Sequence, residues 1–255
     1  MLHNFITALQ FLTVFTVKKD HEVDENDLAR SMTFFPFVGL FIGLILVWAD
    51  RALLWFFPDT IGNIFLLILS MVITRALHID GLADSIDGLM GGKDRESRLA
   101  IMKDSRIGTG GVLGVVFVLM IRYVCLNNLF DDYKTAALLT APAFGRWSQM
   151  LMMFEADYGR ETGLGKAFVG HVRLGGLLAA SVISLGISAY VIIQDSRTAV
   201  LAVAIPLLIA LFTVLWRWYV VRKVDGITGD AVGAASEMSE ALTLLLFVAL
   251  LSANR

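Results

Sequence analysis

His78 to Gly111 reads HIDGLADSIDGLMGGKDRESRLAIMKDSRIGTGG, a polar stretch set between two long apolar segments. Its first part places Asp80, Asp84 and Asp87 at spacings of four and three. At about 100° per residue in a helix, the three carboxylates fall within roughly 60° of one face. Like charges so placed repel each other unless a cation lies between them. Oxygen-only ligands suit a hard divalent ion, Mg²⁺ or its substitute Mn²⁺, or Ca²⁺. Lys103, Asp104, Ser105 and Arg106, followed by Gly108, Gly110 and Gly111, add two cations, a hydroxyl and a flexible backbone. Such groups hold phosphate. Acids ahead of a basic cluster also occur in plain solvated loops between membrane segments. The repeated Asp-Gly, at Asp80-Gly81 and Asp87-Gly88, and the shared helical face set this stretch apart from such a loop.

Outward from it, the chain is apolar. Of its 255 residues 57% are hydrophobic and 17% charged, and the mean hydropathy is +0.72. An integral membrane protein in the lipid bilayer is expected. A formal net charge of -2 gives no basic field, so no nucleic-acid partner is expected. The single cysteine, Cys125, excludes an intrachain disulfide. Leu2 to Val17, interrupted by His3, Asn4, Thr7 and Gln10, is short for a span of about 20 residues and reads as an interfacial helix. It lacks a basic n-region and a cleavage site, so it is expected to remain in the mature protein. Seven apolar segments follow, at Thr33 to Trp48, Ile61 to Leu77, Gly111 to Leu129, Ala136 to Phe154, Leu174 to Ile193, Ala199 to Tyr219 and Val232 to Leu251. The fold expected is all-α: a polytopic membrane helix bundle of about seven spans plus the N-terminal interfacial helix, in one domain over residues 1–255.

The positive-inside rule orients it. One set of alternate connections carries 14 of the 21 Lys and Arg residues, five of them in the polar stretch, whereas the other carries 4: Arg51, Lys134, Arg197 and Arg255. Lys18, Lys19 and Arg30 belong to the first set, while Arg75, Arg122 and Arg146 fall inside apolar segments. Residues 78–111 are therefore expected to face the cytoplasm, with Ser252 to Arg255 on the other side.

A second acidic constellation lies at 225–240, on the same side. Asp230 and Glu237 are seven residues apart and share a helix face, with Glu240 within a turn of Glu237. Carboxylates at membrane depth usually line a functional cavity, although Asp230 as a helix cap is the simpler alternative. Gly233, Ala234 and Ala235 permit close helix packing. That would bring Thr228, Gly229 and Asp230 into one pocket with Asp80 to Asp87. Arg146, deep in an apolar segment, needs a carboxylate or a phosphate partner. Gly163-Leu-Gly165 reads as a turn or a lid, and His78 as a base, a ligand or a hydrogen-bonded interfacial histidine. Carboxylates beside Lys, Arg and glycine suit metal-assisted transfer of a phosphate-linked group onto a hydroxyl.

His78-x-Asp80-Gly-Leu-Ala-Asp84-x-x-Asp87-Gly, followed by Ile101-Met-Lys-Asp-Ser-Arg-Ile-Gly108, resembles the cobalamin synthase family, the adenosylcobinamide-GDP ribazoletransferases. Arg146, Gly163-Leu-Gly165 and Gly226-x-Thr-Gly-Asp230 with Glu237 and Glu240 extend the resemblance almost to the end of the chain. Gly110 departs from it, standing where an aromatic often follows the Gly-Thr pair. The resemblance implies that a hydroxyl of α-ribazole, or of its 5′-phosphate, attacks the cobinamide-linked phosphate of adenosylcobinamide-GDP. GMP leaves, and adenosylcobalamin or its 5′-phosphate forms, with Mg²⁺ required, at the inner membrane. Asp80, Asp84, Asp87, Asp104 and His78 would be catalytic. Lys103, Ser105, Arg106, Gly108, Arg146 and Thr228 would bind substrate. Metal would fall to Asp80, Asp84, Asp87, Asp104, Asp230 and Glu237. A homo-oligomer, or association with other corrinoid-pathway enzymes, stays open. Two rivals are a CDP-alcohol phosphotransferase, whose Asp-Gly-x-x-Ala-Arg signature is missing here, and a divalent-cation transporter, which needs carboxylates near mid-membrane.

Overall fold

A computed structural model describes residues 1–18, 23–192 and 199–252. The described residues are helical, in the order α1 (Leu2–Leu12), α2 (Glu25–Ser31), α3 (Phe35–Leu53), α4 (Asp59–Ile73), α5 (Leu77–Gly91), α6 (Arg95–Ile101), α7 (Thr109–Asn127), α8 (Asp131–Met153), α9 (Leu174–Ile192), α10 (Ala199–Val224) and α11 (Gly229–Ser252). Lys19, Arg197 and Arg255 from the charge partition lie outside the described residues, as does the end of the chain after Ser252.

The all-helical polytopic architecture agrees with the expectation; the number of spans does not. Among the described residues four helices are long and apolar enough to cross a membrane, Asn26–Leu53, Thr109–Asn127, Val200–Val224 and Gly229–Ala249, or five with the bent pair α4 and α5 taken as one. Segment Leu174 to Ile193 forms α9, apolar and continuous to Ile192, and Ile193 is outside the described residues. Segment Ala136 to Phe154 became α8, which carries Thr140, Arg146, Ser148 and Gln149 fully buried. It is the central helix, packed most extensively by α3 and α11. An apolar run in sequence does not separate a lipid-facing helix from one enclosed by protein. The outer helices show the difference: Val116, Phe117, Met120 and Val124 of α7 and Leu207, Leu211, Val214 and Leu215 of α10 are exposed apolar side chains. At 11 residues α1 extends about 16 Å, too short to cross a core of about 30 Å.

Small residues set the packing. Gly39 and Gly43 lie against the α8 backbone, where a Cβ at Gly43 would stand 2.6 Å from the Leu138 carbonyl oxygen. The α4–α5 pair bends by 89° at Arg75 and Ala76. Both take left-handed φ angles, 54° and 52°, which side-chain-bearing residues adopt only when held there. The end of α1 holds them. The Arg75 guanidinium donates to the carbonyls of Gln10 and Thr13, and the Val14 N–H donates to the Ile73 carbonyl at 2.8 Å.

The basic connections meet at one end of the bundle. Arg95 of α6 donates to the Val224 carbonyl at the end of α10 and to the Gly159 carbonyl after α8, each at 3.0 Å, and Arg98 donates to the Lys223 carbonyl. At the far end Lys134, one of the few basic residues there, is neutralised by Asp50 at 2.6 Å and Asp59 at 2.8 Å.

Candidate active site

The two acidic constellations meet where α5 crosses the start of α11. A Cβ at Gly81 would stand 2.9 Å from the Asp230 carbonyl oxygen, and one at Gly233 would stand 3.2 Å from the His78 Cα. This close approach puts Asp80 and Asp230 on the wall of one cleft of about 280 Å³, which Arg160 also lines. Asp80 is exposed there and Asp84 half-buried behind it. The charges of Asp80, Asp230, Arg160 and Asp87 all reach Asp84. Arg160 donates to the Asp230 carboxylate, and Tyr158 lines the same cleft. Arg160 is one cation among several acids. The loop that carries it is pinned to the α10–α11 turn, where Gly159 N–H donates to the Ile227 carbonyl at 2.9 Å and Ile227 N–H to that of Asp157 at 2.8 Å. Gly163, at φ 140°, closes beneath the Tyr158 hydroxyl, where a side chain would collide.

Asp87 points elsewhere. Its carboxylate accepts from the N–H groups of Gly108 and Gly111, each at 2.7 Å, and so anchors the first turn of α7. The glycines read as a phosphate loop therefore hold an internal anion, and the Gly108 N–H is already spent. Their lack of side chains is required by this contact, because a Cβ at Gly111 would stand 2.9 Å from the Ala83 carbonyl oxygen as well as abutting Asp87. Lys103, Ser105 and Arg106 are exposed in the α6–α7 connection and do not line the cleft. Arg106 donates to both oxygens of Asp104, at 3.0 Å and 2.6 Å. These hydrogen bonds pull the Asp104 carboxyl down to about 2. Neither residue is brought to Asp80 or Asp230.

Deeper in the bundle lies a second charged set. Arg122 donates to Glu237 at 2.6 Å and to Glu240 at 2.5 Å, and Arg146 donates to Glu240. All four side chains are buried, and two cations balance two anions, as membrane depth demands. Glu237 is thus an ion-pair partner rather than a neighbour of Asp80, and Arg146 is enclosed with it rather than open to a ligand. Of the two partners that Arg146 could have met, the structure supplies the carboxylate. His78 lines the cleft but is buried, its Nδ1 3.4 Å from Arg146 and its Nε2 2.8 Å from the Gln149 side-chain amide. Both ring nitrogens are occupied, which holds the ring in place and removes it from the role of free base. Thr228 is buried as well. Its hydroxyl accepts from the Ala231 N–H at 3.2 Å and caps α11, so the cap is Thr228 and not Asp230.

Sequence reasoning missed Arg160, Tyr158, Gln149 and Arg122. Arg122 was signalled by its place inside an apolar segment, which requires an acid somewhere. Arg160 looked like any loop arginine, because Asp230 is 70 positions away.

Among the described residues no three His, Cys, Asp or Glu side chains are gathered tightly enough to form a metal site by themselves. In donor chemistry Asp80, Asp84 and Asp230 nevertheless fit a hard cation, since they offer only carboxylate oxygen against a single arginine.

The profile of a family described as cobalamin-5-phosphate synthase matches residues 4–248. A relative from Geotalea daltonii, named adenosylcobinamide-GDP ribazoletransferase, is 37% identical over 255 residues, 98% of each chain. Relatives of the same name from Clostridium novyi and Thermoanaerobacter pseudethanolicus are each 36% identical over 250 residues, covering 96% and 97% of both chains. No solved structure matches. With a match this long and motifs that point the same way, the chain belongs to the cobalamin-5-phosphate synthase family.

Proposed function

We propose that the protein transfers the cobinamide-linked phosphate of adenosylcobinamide-GDP to a hydroxyl of α-ribazole or its 5′-phosphate, releasing GMP, in the cleft between α5 and α11. The observation that carries this reading is the convergence of Asp80, Asp230 and Arg160 on one cleft, with Asp84 behind them. Both sequence motifs of the family contribute to it.

Asp80, Asp84 and Asp230 would hold Mg²⁺, with Mn²⁺ as a substitute. When bound, the ion supplies charge neutralisation at the diphosphate. Arg160, which lines the cleft in contact with Asp230, has donors for the phosphate oxygens of the donor substrate. A carboxylate of the Asp80–Asp84 pair accepts the proton of the attacking hydroxyl, since Asp80 is the exposed acid of the cleft. Asp87 keeps α7 against α5, and the His78–Gln149–Arg146 chain keeps the cleft wall rigid. The end rich in basic residues, which carries the cleft, faces the cytoplasm of the inner membrane in this reading, open to soluble nucleoside.

The deeper acids argue against the transporter reading, because Glu237 and Glu240 are each paired with a guanidinium and offer no free carboxylate to a passing cation. Purified protein in detergent, given adenosylcobinamide-GDP, α-ribazole and Mg²⁺, should release GMP. Chelation should stop the release and added Mg²⁺ restore it. Ion flux into vesicles without GMP release would establish the transporter instead.

A further inference from the structure

We propose that the cleft is the seat of the nucleoside acceptor: its aromatic lining takes the flat base of α-ribazole, while the corrin macrocycle of the other substrate stays outside. This rests on the transfer reaction proposed above.

The lining of the cleft combines the charged Asp80, Asp230 and Arg160 with the aromatic Phe11, Phe35 and Phe168. The three rings form one cluster. The Phe11 and Phe168 centroids are 4.4 Å apart, and that of Phe35 is 6.2 Å from each. They come from three separate parts of the chain: α1, the start of α3 and the loop after α8. Phe35 and Phe168 are core residues, 1% and 4% exposed, and they back Phe11, the partly exposed ring of the three.

Size decides between the substrates. A cleft of about 280 Å³ lies just below the range for small-molecule sites, about 300–1,000 Å³. It has room for a nucleoside with a bicyclic base and none for a corrin ring with its amide side chains. An apolar planar base gains from aromatic edges and faces, whereas the sugar, one bond away, would lie toward Asp80. The acceptor hydroxyl would then meet the phosphate beside the acids. Recruitment of Phe11 also gives α1, a helix too short to span, a part in substrate binding.

The test uses the full chain in detergent. Equilibrium dialysis with α-ribazole, in the absence of corrinoid, should show saturable binding that the free base displaces and ribose 5-phosphate does not. Phe11→Leu keeps the apolar character and removes the ring. It should raise both the Kd and the KM for α-ribazole about three- to tenfold, the magnitude of one aromatic contact, with the effect on KM rather than kcat and on the nucleoside rather than the corrinoid. Phe168→Leu should do the same. Unchanged Kd and KM for α-ribazole in both folded variants would overturn the proposal, and so would a rise in KM confined to adenosylcobinamide-GDP. The transfer reaction fails separately. Wild-type protein that binds α-ribazole, loses affinity on Phe11→Leu and yet releases no GMP keeps the nucleoside site and sinks the reaction. GMP release that is indifferent to both phenylalanine changes does the reverse.

Discussion

Among the described residues lining the cleft, Arg160 is the one side chain whose charge opposes the acids, and its present partner is Asp230. Arg160→Gln should lower kcat/KM for adenosylcobinamide-GDP about ten- to a hundredfold, because a donor to the transferring phosphate is lost. The Mg²⁺ concentration for half-maximal rate should fall at the same time, since a competing cation has been removed from Asp230. A Mg²⁺ titration of GMP release reads both, and an unchanged kcat/KM would take Arg160 out of the site. Asp87 makes a different kind of contribution. Asp87→Asn weakens the charge-assisted bonds to Gly108 and Gly111 and should cost about 1–2 kcal/mol of stability, seen as a Tm lower by a few degrees. A wild-type Tm would mean that the contact does not anchor α7. The same residues show how far side chains can be read in advance. Three acids spaced four and three apart declare a common face, and an arginine inside an apolar segment declares a need for an acid. Which acid answers it is set by packing, so Glu240 as the partner of Arg146 and Asp230 as the partner of Arg160 were not legible.

Helix crossings turn separated motifs into one site. The contact of Gly81 with Asp230 and of Gly233 with His78 lets α5 and α11 approach closely enough for their acids to share a wall. Gly233→Leu should force the helices apart and reduce GMP release at least tenfold, whereas Gly175→Leu, at a position with nothing within 4 Å of its Cβ, should leave turnover near wild type. Equal loss in both variants would show that the crossing is not what matters. The small residues at 233–235 signalled this crossing in sequence, because a run of small side chains at a helix start invites a neighbour. The 89° bend between α4 and α5 gave no such signal. It depends on Arg75 reaching the carbonyls of Gln10 and Thr13, a contact between segments more than 60 positions apart. The central position of α8 was hidden for a related reason: its buried Arg146 and Gln149 are polar only in composition, and their partners lie on α11 and α5.

At the scale of the whole molecule the account depends on two claims, that the chemistry lies at the end rich in basic residues and that the end faces the cytoplasm. The structure brings the basic connections together through Arg95 and Arg98, as the alternating charge pattern foretold. Cysteines placed at the exposed Lys93 and Lys166, in a Cys125→Ser background, should resist an impermeant thiol reagent in intact cells and react after permeabilisation. Labelling of either in intact cells would invert the topology. The central claim is that the α5 acids and Asp230 form the transfer site, and Asp84 tests it best, since the charges of Asp80, Asp230 and Asp87 all bear on it. The direct measurement is GMP release by purified Asp84→Asn beside wild type across a Mg²⁺ titration, with thermal stability checked in parallel. The account predicts a folded protein whose rate falls on the order of a thousandfold or more. Near wild-type turnover at every Mg²⁺ concentration would contradict it.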